Sequence, residues 1–374
     1  MSEKLDLVEL GNRLHMVDDM LVQMLAARHL LALQVGRLKL ERGDPIYRPG
    51  IEAKRIEDAS QYGSRLGLSP AYVASVMYAA IRESCMDQVI QREGALGIGT
   101  GVQTYEAQKA NLRALTQRIA GTYDATYKLS PATRLYLDFE DARLEDLVQE
   151  ISRDKRGRFL DLGCGTGAIA FRACYLFNSV VGYDLSPDML SVASEKWRRD
   201  HADKDVQFKE ADLEDGISEE SGSASFVAMT LGTASDIKNI EHVIGEIVRV
   251  LEPRGRFLLS FYNENALLYE WKYLPWQMSL AARINLDDHC LDVRDGDQVF
   301  QVYARPYSTD GVKKLFAGVE LRNILTYPTI SPVLPSEAFI GQPSERLLQT
   351  VTALDRQLSF GHHGAYIIVM GTKQ

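Results

Sequence analysis

The apolar residues near the start of the chain keep helical step for almost forty residues. Leu7, Leu10, Leu14, Val17, Leu21 and Met24 are followed by Leu31, Val35 and Leu38, with Arg28 filling the gap between the two runs. Steps of three and four place all of them on one stripe. No proline interrupts the pattern before Pro45. About 37 residues at 1.5 Å each give a helix of roughly 55 Å. The roughly 50 residues that follow it cannot cover such a length, and an apolar stripe must be buried against something. The stripe therefore predicts that its far half packs on a second copy of the chain, or else on the remainder of the same chain.

Two more helices follow. One is expected over about 50–66, after Pro45 and Pro49, and one from Ser69-Pro70 to about residue 92, where a cap precedes proline at the first helical position. The apolar face of the third helix, Val73, Met77, Ala80 and Ile81, also carries Ser84 and Gln88. Arg28 lies on the stripe of the first helix, and Lys39, eleven residues on, points nearly the same way. Buried polar groups need partners. They are expected either to satisfy one another or to line a pocket for an anion. Two cations with a hydroxyl and an amide favour the pocket.

These residues resemble the all-helical chorismate mutase family over about residues 5–92, in the same three-helix order. The resemblance implies an intertwined homodimer with a pocket for a dicarboxylate, in which Arg28, Lys39, Glu52, Ser84 and Gln88 fall on pocket positions. Two positions depart from the pattern: Gly11 and Ile51 stand where the family carries arginines. Each lost charge-assisted contact costs about 1.5–3 kcal/mol. Arg48 and Arg55 lie nearby. One reading is a domain kept for dimerisation or ligand sensing, with negligible mutase activity. The other is a working mutase in a bifunctional enzyme.

A glycine-rich stretch, Gly94 to Gly101, then separates two grammars. Helical periodicity precedes it, and strands alternating with helices follow after a bridging segment. The expected domains are 1–93 and 115–374, with 94–114 as linker. In the second, an apolar strand runs through Asp161 into Gly163, Gly165 and Gly167 and then a helix. Glycines there let the backbone approach a ligand at a helix start. The spacing G-x-G-x-G differs from the G-x-G-x-x-G of nicotinamide binders. Asp161 just before the glycines would repel a pyrophosphate and suits a ligand with an ammonium group and a positive centre. Two later strands end in Asp184 and Asp212. Three acids at the carboxyl ends of successive strands converge on the ligand-binding edge of a parallel sheet.

This segment resembles the class I S-adenosylmethionine-dependent methyltransferases, over about residues 115–270 and again in the last strand, 365–372. The resemblance implies an α/β fold, a Rossmann-like methyltransferase sheet with helices on both faces, preceded here by the all-α three-helix domain. It implies S-adenosylmethionine as cofactor. Asp161, Gly163 and Gly165 would meet its methionine part, within a loop that also holds Cys164 and Gly167. Asp184 would hold the ribose, with Leu185 and Met189 beside the adenine. Asp212 would bind the adenine amine and Leu213 flank the ring. Tyr123 and Tyr127 precede the core, where such enzymes often close over the cofactor; packing is the equal alternative. Insertions at 263–305 and 328–364 hold Trp271, Trp276, Arg283, Tyr303 and Arg305 and suggest a lid over an aromatic or carboxylate acceptor. His362 and His363 are the candidate general bases, since histidine titrates near neutrality.

The chain carries a net charge of −9, and residues 1–92 hold equal numbers of basic and acidic side chains, so the acidity belongs to the second part. Such a body repels nucleic acid. Four scattered cysteines without a CxxC pair, no run of 18 apolar residues and a charged start predict reduced thiols, a cytoplasmic location, no metal and no membrane span. The leading expectation is a homodimeric methyltransferase of a small carboxylated or aromatic metabolite. Its rivals are the bifunctional enzyme, methylating prephenate or a related product, and a non-enzymatic regulator that binds the cofactor.

Overall fold

The computed structural model of the chain describes residues 6–46, 48–95, 101–125, 141–146, 148–149, 151–152, 155–266, 282–285, 288–295, 298–317, 321–328 and 364–374. It divides into two compact units, Met1–Gly101 and Val102–Gln374.

The first unit is three helices, α1 (Leu7–Arg42), α2 (Pro49–Arg65) and α3 (Pro70–Ala95). The Asp6 side chain caps α1 by accepting from the Val8 amide, and Gly43 ends it in the left-handed region. Helices α1 and α2 both pack on α3. Of α1, only Gly36 and Lys39 are fully buried. Leu7, Leu14, Val17, Leu21 and Met24 are all exposed within the chain. Leu10, Leu31, Val35 and Leu38 are exposed as well, so the stripe is uncovered along its whole length.

The second unit opens with α4 (Tyr105–Ile119), capped by the Thr104 hydroxyl. This revises the expected linker over 94–114, because its second half is helix and the division falls at 101/102. Leu112, Leu115 and Ile119 fall at helical spacing and join one apolar cluster with Leu291, Val293, Phe300 and Val302. Those partners lie on a small antiparallel sheet of β6 (Ala282–Asn285), β7 (Cys290–Asp295) and β8 (Gln298–Tyr303).

The main sheet contains β1 (Arg158–Leu162), β2 (Ser179–Asp184), β3 (Val206–Glu210), β4 (Ala224–Met229), β5 (Leu251–Tyr262), β9 (Leu321–Pro328) and β10 (Tyr366–Lys373). Its order is β3-β2-β1-β4-β5-β10-β9. The first five strands are parallel, and β10 runs antiparallel to both neighbours. Helices α5 (Ala168–Ala173), α6 (Pro187–Asp200), α7 (Ile240–Val250) and α8 (Thr309–Leu315) complete it. This is a Rossmann-like sheet with helices on both faces.

Alternation along the central strands builds two cores, as a sheet covered on both faces requires. Leu160 and Leu162 of β1 and Val227 and Met229 of β4 join the core that holds α7 and α8. Phe159, Phe226 and Ala228 join the core that holds α5. Among the described residues no helix is long and apolar enough to cross a membrane.

Phe226 is fully buried, with its ring stacked 5.2 Å from Phe159 and edge-on to Phe177. Phe226→Ala should destabilise the second unit by about 3–5 kcal/mol in urea unfolding, since it removes apolar contacts and leaves a cavity.

Candidate functional site

The site begins where β1 runs out. Gly163, Gly165 and Gly167 have φ of 75°, 51° and 86°, in the left-handed region that side chains disfavour. The Gly163 and Cys164 amides both donate to the Tyr183 carbonyl, at 2.7 and 2.9 Å, which ties the loop to β2. The Gly165 amide donates to Asp184 Oδ2 at 2.7 Å, and the Ser186 amide donates to Oδ1 at 2.9 Å. A Cβ at Gly163 would lie 2.5 Å from Thr233, whereas one at Gly165 would meet nothing within 4 Å. The loop is therefore pressed against the residues after β4 on one side and open at Gly165.

Asp161 lies beneath the loop with 1 % exposure, and its carboxylate accepts from the Ala170 amide at 3.0 Å. Burial pushes its pKa up to about 7, against that hydrogen bond and helped by the nearby Asp184 carboxylate. Burial also raises Asp184, with the Ser186 and Gly165 amides opposing. Burial and the same two carboxylates keep the Cys164 thiol neutral.

One pocket gathers these groups. Asp161, Gly163, Cys164, Gly165, Asp184, Leu185, Met189, Asp212, Leu213 and Tyr123 all line it. Gly167 does not, because its α-carbon faces the Phe171 and Phe208 rings and serves close packing of α5 on the sheet. His362 and His363 lie outside the described residues, as do Tyr127, Trp271 and Trp276.

The sequence did not announce the rest of the pocket. Helix α4 supplies Tyr105, Lys109, Leu112, Leu115 and Ile119 to its wall, opposite the main sheet edge. Lys109 pairs with Asp212 and, at 2.7 Å, with Glu214. Burial opposes its charge, yet the two carboxylates hold the ammonium above its ordinary value. The Tyr105 hydroxyl donates to Glu214 at 2.5 Å. Burial and that carboxylate push the phenol pKa up. The short sheet adds Leu291, Val293 and Val302, while the turn after β4 and the end of β5 add Asp236 and Tyr262. Helical spacing in Leu112, Leu115 and Ile119 was the available signal for α4. Nothing local marks Asp236.

The first unit has its own small cavity, about 140 Å³, lined by Arg28, Lys39, Glu52, Ser84 and Gln88 together with Arg48 and Arg55. All five expected residues meet there. The cations already have partners: Arg28 donates to the Ala80 carbonyl and, at 2.5 Å, to Ser84. Lys39 donates to the Ile46 carbonyl and, at 3.1 Å, to Gln88. Burial lowers the pKa of both. Glu52 accepts from the Arg48 amide at 2.9 Å.

A left-handed glycine loop and strand-ending carboxylates meet at the edge of a 3-2-1-4-5 parallel sheet, the edge at which open α/β sheets bind ligands. Residues 153–294 match the family model of a methyltransferase domain, and residues 10–89 match that of type II chorismate mutase. A segment matching a methyltransferase domain thus follows one matching type II chorismate mutase in this chain. It is 33% identical over 145 residues to the ubiquinone/menaquinone biosynthesis C-methyltransferase UbiE of Nitrobacter hamburgensis, covering 37% of this chain and 55% of that protein. It is 32% identical over 119 residues to a probable S-adenosylmethionine-dependent methyltransferase of Saccharomyces cerevisiae, covering 31% of this chain and 40% of that protein. The chain thus spans about half the length of the curated relatives it matches. Among solved structures, a Thermotoga maritima S-adenosylmethionine-dependent methyltransferase aligns with TM-score 0.44 at 16% identity, over 70% of this chain and 99% of that one.

Asp161 holds its proton more tightly in the folded chain than in the unfolded one. Its contribution to stability is therefore complete below the ordinary aspartate range and is lost as pH rises through about 7. Between about pH 5 and pH 8, the wild-type unfolding free energy should fall by about 2–3 kcal/mol more than that of Asp161→Asn. Urea titrations of both proteins at the two pH values check this.

Proposed function

We propose that the second unit transfers a methyl group from S-adenosylmethionine to a small, largely apolar, ring-bearing acceptor, and that the first unit is a dimerisation module with a residual anion pocket. The observation that carries the methyltransferase reading is the glycine loop. Three left-handed glycines leave the backbone open at Gly165, while the Gly165 amide and the Ser186 amide after β2 fix the Asp184 carboxylate. An oriented carboxylate beside an open backbone fits a ribose diol next to a charged amino-acid end. The acidity of the pocket fits the two positive charges of the cofactor.

When bound, S-adenosylmethionine supplies a methyl group already activated on a sulfonium. The protein's work is therefore mainly alignment and exclusion of water. Asp161, Gly163 and Gly165 hold the methionine end in this reading, and Asp184 holds the ribose. Leu185, Met189 and Leu213 form the apolar slot for adenine, and Asp212 receives its amine once Lys109 gives way to Glu214 alone. Tyr123 closes the near side. Apolar residues of α4, β7 and β8 wall the acceptor side of the pocket. The printed name of the Nitrobacter relative, a C-methyltransferase of quinone biosynthesis, agrees with an apolar ring there.

Three features support a dimerisation role for the first unit. Its leading helix exposes Leu14 and Leu21, at 64% and 51%, on one continuous stripe. Gly11 and Ile51 bring no positive charge to the cavity. Arg28 and Lys39 spend hydrogen bonds on backbone carbonyls. A dicarboxylate buried there would have to draw its charge partners from Arg48 and Arg55, the other cations of the cavity.

Asp184→Ala should weaken S-adenosylmethionine binding by about 2–4 kcal/mol in calorimetry, through the loss of two hydrogen bonds to a charged group. Unchanged affinity would remove Asp184 from the site. The full chain should run as a dimer in light scattering and leave chorismate unconsumed, and Leu14→Glu with Leu21→Glu should yield monomers. A dimer that survives both charges, or chorismate turnover lost in Arg28→Ala, would overturn this role for the first unit.

A further inference from the structure

Asp236 has no part in the cofactor reading, yet it lines the same pocket. It closes the short 3-10 turn Thr233–Asp236, which follows β4 after the left-handed Gly232. The contact between Gly163 and Thr233 sets this turn against the glycine loop. The strand order then separates two roles. Asp184 and Asp212 stand beyond β2 and β3, on one side of the loop, whereas Asp236 stands beyond β4, on the other. A ligand whose ribose is held at β2 and whose reactive end lies at the loop presents that end toward β4 and β5. Asp236 is on the acceptor's side.

Its surroundings are unusual for a carboxyl group. Beta strand β5 and the end of β8 pack against the turn. From β5, the Tyr262 hydroxyl hydrogen-bonds to Asp236. A side chain at Gly232 would collide with the Tyr262 ring at 2.2 Å, so the glycine is what lets that ring lie over the turn. From β8 come Tyr303 and the adjoining Arg305, whose guanidinium is engaged with Tyr303 and Tyr307 and lies 4.9 Å over the Tyr307 ring. No salt bridge reaches Asp236 among the described residues. Across the pocket stand the Asp161 and Asp184 carboxylates, and Lys109 is held by Asp212 and Glu214. Burial pushes the Asp236 carboxyl up to about 8, and the Tyr262 hydrogen bond restrains it only in part.

The space in front of Asp236 points to the acceptor. Leu112, Leu115, Leu291, Val293 and Val302 line the pocket with Asp236, as does Tyr262, which hydrogen-bonds to it. The pocket's two described cations are Lys109 and Arg113. The first is paired, and the second donates to the Leu185 carbonyl at 3.3 Å. Among the described lining residues a carboxylated acceptor finds only Arg113 as a further cation, and it meets the carboxyl groups of Asp161, Asp184, Asp212, Glu214 and Asp236. An ammonium pays desolvation to enter an apolar chamber. A neutral hydroxylated ring does neither.

We infer that Asp236 is the proton acceptor for an uncharged hydroxy-aromatic substrate seated between α4 and the β7–β8 face. The ring's O–H bond breaks, its electron pair stays on oxygen, and the proton passes to the Asp236 carboxylate. Tyr262 acts as a positioning residue that steadies the ionised carboxylate. Phenols ionise near pH 10, so a base of raised pKa narrows the proton-transfer gap that an ordinary aspartate would leave. This inference rests on the methyltransferase reading of the pocket.

The test uses the full chain and two measurements. Calorimetry with S-adenosylmethionine comes first, on wild type and on Asp236→Asn. Equal binding shows that the variant is folded and that the cofactor reading stands, whereas failure of the wild type to bind sinks that reading and this inference with it. The second measurement is calorimetry of 4-nitrophenol, a phenol that ionises near neutrality, at about pH 9 in buffers of different ionisation enthalpy. Phenol and Asp236 are both largely ionised there before they meet, so the wild type should take up a proton as bound phenolate and carboxylate come to share one, and Asp236→Asn should take up none. Tyr262→Phe should retain the uptake and shift the pH midpoint of methyl transfer upward, through loss of the hydrogen bond to the carboxylate. Equal proton uptake in wild type and Asp236→Asn would overturn the assignment of the base. Tighter binding of 4-nitrobenzoate or of 4-nitrophenethylamine than of 4-nitrophenol, with cofactor binding intact, would overturn the acceptor class.

Discussion

The loop between β1 and α5 can exist only in a backbone conformation that side chains disfavour, and the geometry of the pocket is referred to it. Gly163 and Cys164 hang from a single carbonyl of β2, and Gly165 hangs from the carboxylate that ends the same strand. Those bonds fix where the loop sits, and the parallel register of β1 with β2 and β4 fixes what surrounds it. Thr233 can press on the loop because Gly163 has no side chain. The turn after β4, with Asp236 at its end, inherits its position from that contact. Two buried cores hold the strands in register, so the loop rests on a rigid edge.

How much of this was legible in the sequence depended on distance along the chain. The loop is written in seven consecutive residues, Asp161 to Gly167, and each strand-ending acid follows its own apolar run. Local pattern suffices for such features, and these residues gather in one pocket. Gly167 shares the motif but has a different duty, since the rings it faces, Phe171 and Phe208, come from elements that only the fold brings together. Helix α4 was read as linker because its apolar residues are few and its partners lie nearly 180 residues on, in β7 and β8. Asp236 was silent for a similar reason. An aspartate in a short polar stretch reads as a turn, and only the approach of β5 and β8 makes it a half-buried carboxyl lining the pocket. The choice of histidines as bases followed from intrinsic pKa alone, which ignores what burial does to a carboxyl group.

The first unit illustrates the opposite relation. Four of its five pocket residues, Arg28, Lys39, Ser84 and Gln88, follow from helical phase, because they sit on long helices where spacing determines facing, whereas Glu52 came from the family resemblance. Phase does not tell whether a cation is available. Arg28 and Lys39 lie at the expected positions but bind the Ala80 and Ile46 carbonyls, one within α3 and the other in the loop after α1. A residue can keep its place on a face while its hydrogen-bonding capacity is drawn elsewhere.

Helix α4 touches both halves of the pocket. Its polar end places Lys109 on Asp212 and Glu214, and its apolar face lies on the small sheet that walls the other half. In the proposed reading one helix therefore faces both cofactor and acceptor. Whatever shift of α4 accompanies occupation of one half alters the walls of the other, and the energetic effect must be equal in both directions. A helix shared in this way makes affinity for either ligand a property of the pair.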